Sequence, residues 1–309
     1  MFSTQSALHL KGIGMLLRIV AVAFSSVAAI LSTVLPLFMH YSLSSIAIIR
    51  VAIILLIGAI LIHGILTHTL NDLTDYKSGT DQYSPGLLSG GSRVLQTGTM
   101  SERMLIHIGI GVSVFLLFMT AIFAFLGYTK FAILTLVGLW GAGSYSLKPL
   151  RFAYYPFIGE WLSLFPTMLM IGLAAPWVLL DKVPIWAWQN ACINAVWCMA
   201  WVMVHHIPDR QADRKAKPLK RTSVVWAEDI WGKHAAKWPA LLYFALVGIL
   251  LIWTAFNRPI AAIGAGFILF YSIYLIIKMK IQMVEDVTTI EKKLLVCAFI
   301  TAIWLGIFV

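Results

Sequence analysis

The sequence predicts an all-α, polytopic membrane protein with nine transmembrane helices. Three observations carry that prediction. Mean hydropathy is +0.88. The 309 residues are 60% hydrophobic and only 12% charged, about half the charged share of a soluble domain. The apolar residues also come in long continuous runs, where a transmembrane β-barrel would show short alternating segments. A soluble chain of this length could not bury so much apolar surface, so the bilayer is its solvent. Cytosolic enzymes, disordered chains and disulfide scaffolds are thereby excluded.

About twenty apolar residues cross a bilayer as a helix. By that measure the spans fall at about 14–38, 43–70, 103–126, 129–146, 157–180, 185–206, 238–256, 259–279 and 291–309. The first run, Leu16 to Phe38, is too long for a cleavable leader and reads as an uncleaved signal anchor. Pro36, Pro156, Pro184, Pro239 and Pro259 sit at or near span ends, where a missing N–H costs least. Spans 1–4 (about 14–146) and spans 5–9 (about 157–309) make one membrane domain over 1–309. Spans 1–4 and 5–8 match in layout, each group having a long middle loop, at about 71–102 and 207–237. Gly138, Gly141 and Gly143 permit close helix packing. Cys192, Cys198 and Cys297 lie in apolar runs with no CxxC pair and read as small buried hydrophobes.

The net charge of +10 is unevenly placed. Loops after the even-numbered spans hold seventeen Lys and Arg, and the opposite loops hold Lys130, Lys182 and Arg258. This asymmetry puts the N-terminus and the two long loops in the cytoplasm and Val309 outside the cell membrane. Membrane lipids are the expected partners of the basic residues. The stretch Arg210 to Arg221 reads equally as an anionic-lipid site or an ordinary cytoplasmic loop. No nucleic-acid motif accompanies it.

The acidic residues point to chemistry. Five of thirteen fall in two segments, Asn71-Asp72-Leu73-Thr74-Asp75 with Asp81 beyond, and Asp209 to Asp213. On a helix His68, Asn71, Asp72 and Asp75 share one face, and Asp209 and Asp213 are one turn apart. Carboxylates at the hydrocarbon edge are costly unless paired or holding a cation. Two such clusters would repel when empty, and Mg²⁺ relieves that repulsion while bridging carboxylates to phosphate oxygens. The implied substrate is a diphosphate. Lys77, Arg93, Lys148, Arg151, Arg210 and Arg214 lie in the same loops as partners for its remaining oxygens.

In these motifs the chain resembles the UbiA-type intramembrane prenyltransferases. The resemblance rests on Asn71-Asp72-x-x-Asp75, Ser89-Gly90-Gly91-Ser92-Arg93, Tyr145-Ser-Leu-Lys148-Pro-Leu-Arg151, Gly159-Glu160 and Asp209-x-x-x-Asp213-Arg214, in the family's order and over nearly the whole chain. The five-residue gap between Asp75 and Asp81 looks more like the menaquinone-type branch, which prenylates 1,4-dihydroxy-2-naphthoate. The resemblance implies nine helices around a central cavity capped by cytoplasmic loops. It implies Mg²⁺-dependent transfer of a prenyl group from a polyprenyl diphosphate to a lipid-soluble aromatic acceptor, such as a quinone precursor. By position, Asn71, Asp75 and Asp72 or Asp81 would hold one Mg²⁺. Asp209 and Asp213 would hold a second, or one of them would orient the acceptor. Arg93, Lys148 and Arg214 would grip the diphosphate, and Tyr145 would line the site.

The chain departs from that branch at His68 and at His205-His206-Ile207-Pro208, which fall on the expected acceptor side. There His68 and His206 are candidate substrate contacts, or simply hydrogen-bond neighbouring helices. Two rival readings remain. A UbiA-type terpene cyclase would ionise the diphosphate without an acceptor. A transporter would place its carboxylates near the membrane midplane, whereas here they cluster at span ends.

Overall fold

The computed structural model describes residues 12, 14–16, 18–85 and 88–309. The N-terminal residues 1–11, expected in the cytoplasm, lie outside the described residues. Among the described residues every regular element is helical. The long helices are α1 (Ile19–His40) and α2 (Ser45–Ser78). A short α3 (Thr80–Tyr83) precedes α4 (Glu102–Phe125) and α5 (Thr129–Ser146). Then come α6 (Glu160–Leu179) and α7 (Ile185–His206). The short α8 (Arg210–Lys215) and α9 (Ser223–Trp231) lead into α10 (Trp238–Ala255), α11 (Pro259–Lys278) and α12 (Val284–Ile307).

Each predicted span interval therefore carries a long helix. Six of the helices among the described residues are long and apolar enough to cross a membrane. The other three are more polar for identifiable reasons. Threonine, glycine and serine dilute α5, and Gln189, Asn190 and Asn194 lie within α7. Glu285, Asp286, Glu291, Lys292 and Lys293 fall in α12. The polarity of α7 follows from its place. It packs against α1, α6, α10 and α12 and is buried nearly all round. Asn190 donates to the carbonyls of Ser32 (2.8 Å) and Leu305 (3.1 Å), and Arg258 donates to Asn190 at 2.8 Å. These bonds knot α1, α7, α11 and α12 at the end away from the acidic segments. Pro36 lies inside α1, four residues from its end, and Pro184 directly precedes α7.

Two features build the site. First, α2 runs for 34 residues. At 1.5 Å per residue that is about 50 Å, well beyond a hydrocarbon core of about 30 Å. The first acidic segment, read as the start of a loop, is instead the last turns of this helix, which Gly79 ends with a left-handed φ of +81°. Second, Ala23–Val27, Ile60–Thr67 and Glu160–Leu164 are wound as π-helix. Such widened turns are frequent at functional sites. They place Ser26, His63 and Ser163 on the wall of one interior cavity.

Candidate active site

That cavity has a volume of about 440 Å³. Its walls are apolar over most of their length, with Leu55, Ile62, Leu116, Phe131, Leu134 and Met168 among them. One end is polar and carries Asn71, Asp75, Asp209, Lys220, Tyr145 and four histidines. The volume falls within the usual range for a small-molecule site, and the division into an apolar body and a polar end suits an amphiphilic ligand.

At the polar end the two acidic segments meet. Lys220 Nζ donates to Asp75 Oδ2 at 2.8 Å and lies 3.6 Å from Asp213 Oδ1. Asn71 Nδ2 also donates to Asp75 Oδ2, at 3.2 Å. The extended stretch after α8 carries Lys220 inward. Its backbone is strapped down by Lys217 N donating to Ser78 O (2.9 Å) and Lys220 N donating to Asp213 O (3.1 Å).

The glycine-rich turn 88–93 joins the segments a second time. Ser84 Oγ, Ser89 Oγ and Gly90 N donate to the Asp209 carboxylate, the last two at 3.0 Å. Ser92 donates to Asp72 through its N–H and its hydroxyl. Gly91 passes between, at φ +74°, where a Cβ would stand 2.8 Å from Asp72 Oδ1 and 3.0 Å from Asp81 Oδ2. Only glycine fits there. Asp81 Oδ2 accepts from Gln96 Nε2 at 3.0 Å.

This concentration of carboxylates perturbs its members. Burial, helped by the charges of Asp75 and Asp72, pushes Asp81 up to about 8. Burial also raises Asp213 to about 8; Lys220 opposes this, while Asp209 and Asp75 add to it. Burial by itself would lower Lys220, but Asp75 and Asp213 outweigh it and hold the ammonium well above its ordinary value.

The donor set fits Mg²⁺. Asp75 Oδ1 and both oxygens of Asp213 are buried and accept no hydrogen bond. Hard anionic oxygens of this kind are what the ion takes. Among the described residues no three His, Cys, Asp or Glu side chains close around a point by themselves. Mg²⁺ does not require such a cage, since it keeps waters and shares phosphate oxygens with one or two carboxylates.

Of the residues expected from sequence, Asn71, Asp72, Asp75, Asp81, Asp209 and Asp213 are gathered at this end. Tyr145 lines it, its hydroxyl 3.2 Å from His206 Nε2. His68 lines it too, with Nδ1 bonded to Gly64 O at 3.0 Å. Arg93 donates to Ser84 O at 2.7 Å, on the same turn that binds Asp209. Four basic residues stand apart from the expected grip. Lys77 lies about 200° around α2 from Asp75 and pairs with Glu102 at 2.7 Å. Lys77, Lys148 and Arg151 line a separate cavity of about 470 Å³ beside α2, α4 and α5. Arg214 is turned to Glu228 (2.8 Å) and Asp229 (2.7 Å).

Lys220, Ser84, Ser89, Ser92, Gln96 and Arg18 were not singled out from the sequence. The serines lie in or beside the Ser89–Ser92 motif, so their role was within reach. Lys220 was concealed in a basic run.

A sequence profile of the UbiA prenyltransferase family matches residues 30–288. The chain belongs to the UbiA prenyltransferase family. As a UbiA-family member it is an enzyme, a prenyltransferase. Among solved structures it is similar to a UbiA homolog from Archaeoglobus fulgidus bound to GPP and Mg²⁺, at 18% identity and a TM-score of 0.61, over 94% of this chain and 99% of that one. The same homolog bound to DMAPP and Mg²⁺ matches at 18% identity and a TM-score of 0.61, over 94% and 98% of the two chains. A third structure of a UbiA homolog from that organism matches at 16% identity and a TM-score of 0.56, over 97% and 99%. No curated protein matches the chain.

Proposed function

We propose that this UbiA enzyme moves a prenyl group from a polyprenyl diphosphate to a lipid-soluble aromatic acceptor, such as a quinone precursor, with Mg²⁺ as cofactor. The observation that carries the reading is the meeting of Asp75 and Asp213 on Lys220, at the polar end of an otherwise apolar cavity. The similar structures that hold GPP or DMAPP with Mg²⁺ support it. The gap between Asp75 and Asp81 favours the menaquinone-type branch. All nine long helices cross the cell membrane in this reading. The Lys and Arg asymmetry supports a cytoplasmic position for the polar end of the cavity.

Asp75 and Asp213 would hold the ion through their unbonded oxygens, with Asn71, Asp72, Asp81 and Asp209 around them. When bound, Mg²⁺ stabilises the negative charge that develops on the departing diphosphate. The chain's own residues do the rest. Lys220 touches Asp75 and Asp213 and, with Arg93 on the turn that binds Asp209, would bind diphosphate oxygens. Asp72 and Asp209 fix the turn 88–93 through its serines and so set the mouth of the site. The apolar walls take the prenyl tail and exclude water, which would otherwise quench the allylic cation as an alcohol. The ring of Tyr145, held by His206, presents a π face to that cation.

The test is product mass spectrometry on the purified full chain with Mg²⁺ and a panel of prenyl diphosphates, with and without 1,4-dihydroxy-2-naphthoate. A prenylated adduct that needs both substrates and Mg²⁺ is expected. Asp75→Asn and Asp213→Asn should each lower diphosphate release about 100-fold or more, the scale of losing a transition-state charge stabiliser. Cyclic hydrocarbon formed without acceptor would replace this reading with a cyclase. Diphosphate release that ignores Mg²⁺ or both substitutions would overturn the site.

A further inference from the structure

Glu291 lies within α12 and its side chain is fully buried. A carboxylate in that position is costly unless something on the neighbouring helices holds it. His205 does so, with Nδ1 2.5 Å from Glu291 Oε1. Trp201, one turn earlier on α7, donates Nε1 to the Glu291 carbonyl at 3.2 Å and stacks its indole on the imidazole, with centroids 5.1 Å apart and planes 25° from parallel. The ring is therefore fixed in position and in plane.

The other side of the ring settles its protonation pattern. Arg18 Nη2 lies 3.3 Å from His205 Nε2. A guanidinium can only donate, so Nε2 presents its lone pair and Nδ1 carries the hydrogen that goes to Glu291. Arg18 and His205 both line the cavity, as does Trp201. The other cavity histidines have neutral partners: His63 meets the Ser26 hydroxyl at 2.8 Å, His68 the Gly64 carbonyl, and His206 the Tyr145 hydroxyl. Among the described residues only His205 has a carboxylate behind one ring nitrogen while the other accepts from a guanidinium on the cavity wall. A carboxylate that orients an imidazole and stabilises the imidazolium is the arrangement of an activated base.

We propose that the aromatic acceptor's oxygen draws Arg18 off Nε2, and that His205, oriented by Glu291, then removes the hydroxyl proton while Arg18 holds the resulting oxyanion. The inference rests on the prenyl-transfer reading and narrows its acceptor to hydroxyarenes whose hydroxyl is ortho or para to the prenylated carbon. The acceptor O–H bond breaks and an N–H bond forms at Nε2. The oxygen's electron pair moves into the ring, whose carbon bonds to C1 of the prenyl chain as the C1–O bond breaks and its pair leaves on the diphosphate. The ring carbon then gives its proton to the diphosphate and the ring becomes aromatic again. The imidazolium returns its proton to the oxygen, so no oxidant or further reactant is needed. His205 is the catalytic residue here, and Glu291 is a positioning residue.

The experiment compares the full chain with its His205→Ala and Glu291→Gln variants in lipid nanodiscs. It measures prenylated 1,4-dihydroxy-2-naphthoate and released diphosphate in the same reaction. The ratio of adduct to diphosphate should fall about 100-fold in His205→Ala, the usual contribution of a general base. Glu291→Gln keeps the shape of the side chain, so it guards against a folding defect. Its amide can donate to Nδ1 and so favours the tautomer with hydrogen on Nε2, and the ratio should fall there too. Added imidazole should restore part of the His205→Ala ratio. The loss should also shrink with a nitro-substituted acceptor that is already ionised in the assay buffer. An unchanged ratio in both variants overturns the proposal. So does a loss that is equal for all acceptors and insensitive to imidazole, because that marks a structural role. Wild-type enzyme that releases no diphosphate with Mg²⁺ would instead overturn prenyl transfer itself.

Discussion

Replacing Lys220 with methionine removes the one ammonium among the described residues that touches both acidic segments. The side chain is almost wholly buried, as are those of Asp75 and Asp213. Breaking a buried pair by deleting one partner costs about 3–5 kcal/mol, because the other charge is left without compensation. Part of that cost can be relieved by a proton. Asp213 sits at about 8, so near neutral pH its neutral form already prevails. That leaves a loss of about 2–4 kcal/mol for Lys220→Met at pH 7, most of it from Asp75. The assay is the apparent unfolding midpoint in detergent, with EDTA and with Mg²⁺. The variant should unfold well below wild type in EDTA. Mg²⁺ should then raise the variant's midpoint by more than it raises that of wild type, since a cation that binds only the folded state stabilises by mass action and now meets no lysine. Equal midpoints in EDTA, or an equal Mg²⁺ increment in both proteins, would refute the bridging role of Lys220.

Other outcomes follow from the same geometry. Asp81 and Asp213 both titrate near 8 when folded and near 3.8 when not. Stability without metal should therefore be highest below about pH 4, erode as pH rises towards 8 and level off above it. Mg²⁺ competes with those protons, so its affinity should increase up to about pH 8 and then flatten, as titration calorimetry would detect. A pH-independent affinity would contradict the assignment. Gly58 lines the cavity and a Cβ there meets nothing within 4 Å, so Gly58→Phe should fill apolar space without distorting α2. Specificity should shift to shorter prenyl diphosphates, with kcat/KM for the longest falling about tenfold or more. Lys77→Ala should leave the KM for prenyl diphosphate unchanged and cost at most about 1 kcal/mol, because its pairing with Glu102 is half exposed. A large rise in KM would return Lys77 to the diphosphate site.

The helices were legible because long apolar runs have few alternatives to a membrane-spanning helix. The end of α2 was less so. Nothing between His68 and Ser78 breaks a helix, yet the drop in hydropathy reads as the start of a loop. His68, Asp72, Asp75 and Ser78 stay buried in the structure because α2 outlasts the hydrocarbon and that face is covered by the turn 88–93 and the strap 216–221. The shared face of His68, Asn71, Asp72 and Asp75 was visible from the period of 3.6 residues alone. The Glu291–His205 pair was not: His205 stood out only as a departure from the family's pattern, and its partner lies 86 positions away.

Lys77 and Lys220 illustrate why charge alone misplaces a site. Lys77 stands in the first acidic segment, only two positions from Asp75, whereas Lys220 sits in a basic run beyond Asp213, so local sequence favours Lys77. Direction decides otherwise. Two positions along a helix turn a side chain to the opposite face, and there Lys77 finds Glu102. Lys220 follows a short helix and an extended return, a path that local periodicity does not specify, and it arrives between Asp75 and Asp213. Its arrival answers an electrostatic need. Asp72 and Asp209 are satisfied by serine hydroxyls and backbone N–H groups, Asp81 and Asp213 by protons near neutral pH, and Asp75 by Asn71 and Lys220. Each of these is a weaker partner than a divalent cation for a hard anionic oxygen. The folded chain thus tolerates its acidic cluster in the absence of metal by means that a metal can displace, which a permanent carboxylate–arginine network such as Arg214 with Glu228 and Asp229 would not allow.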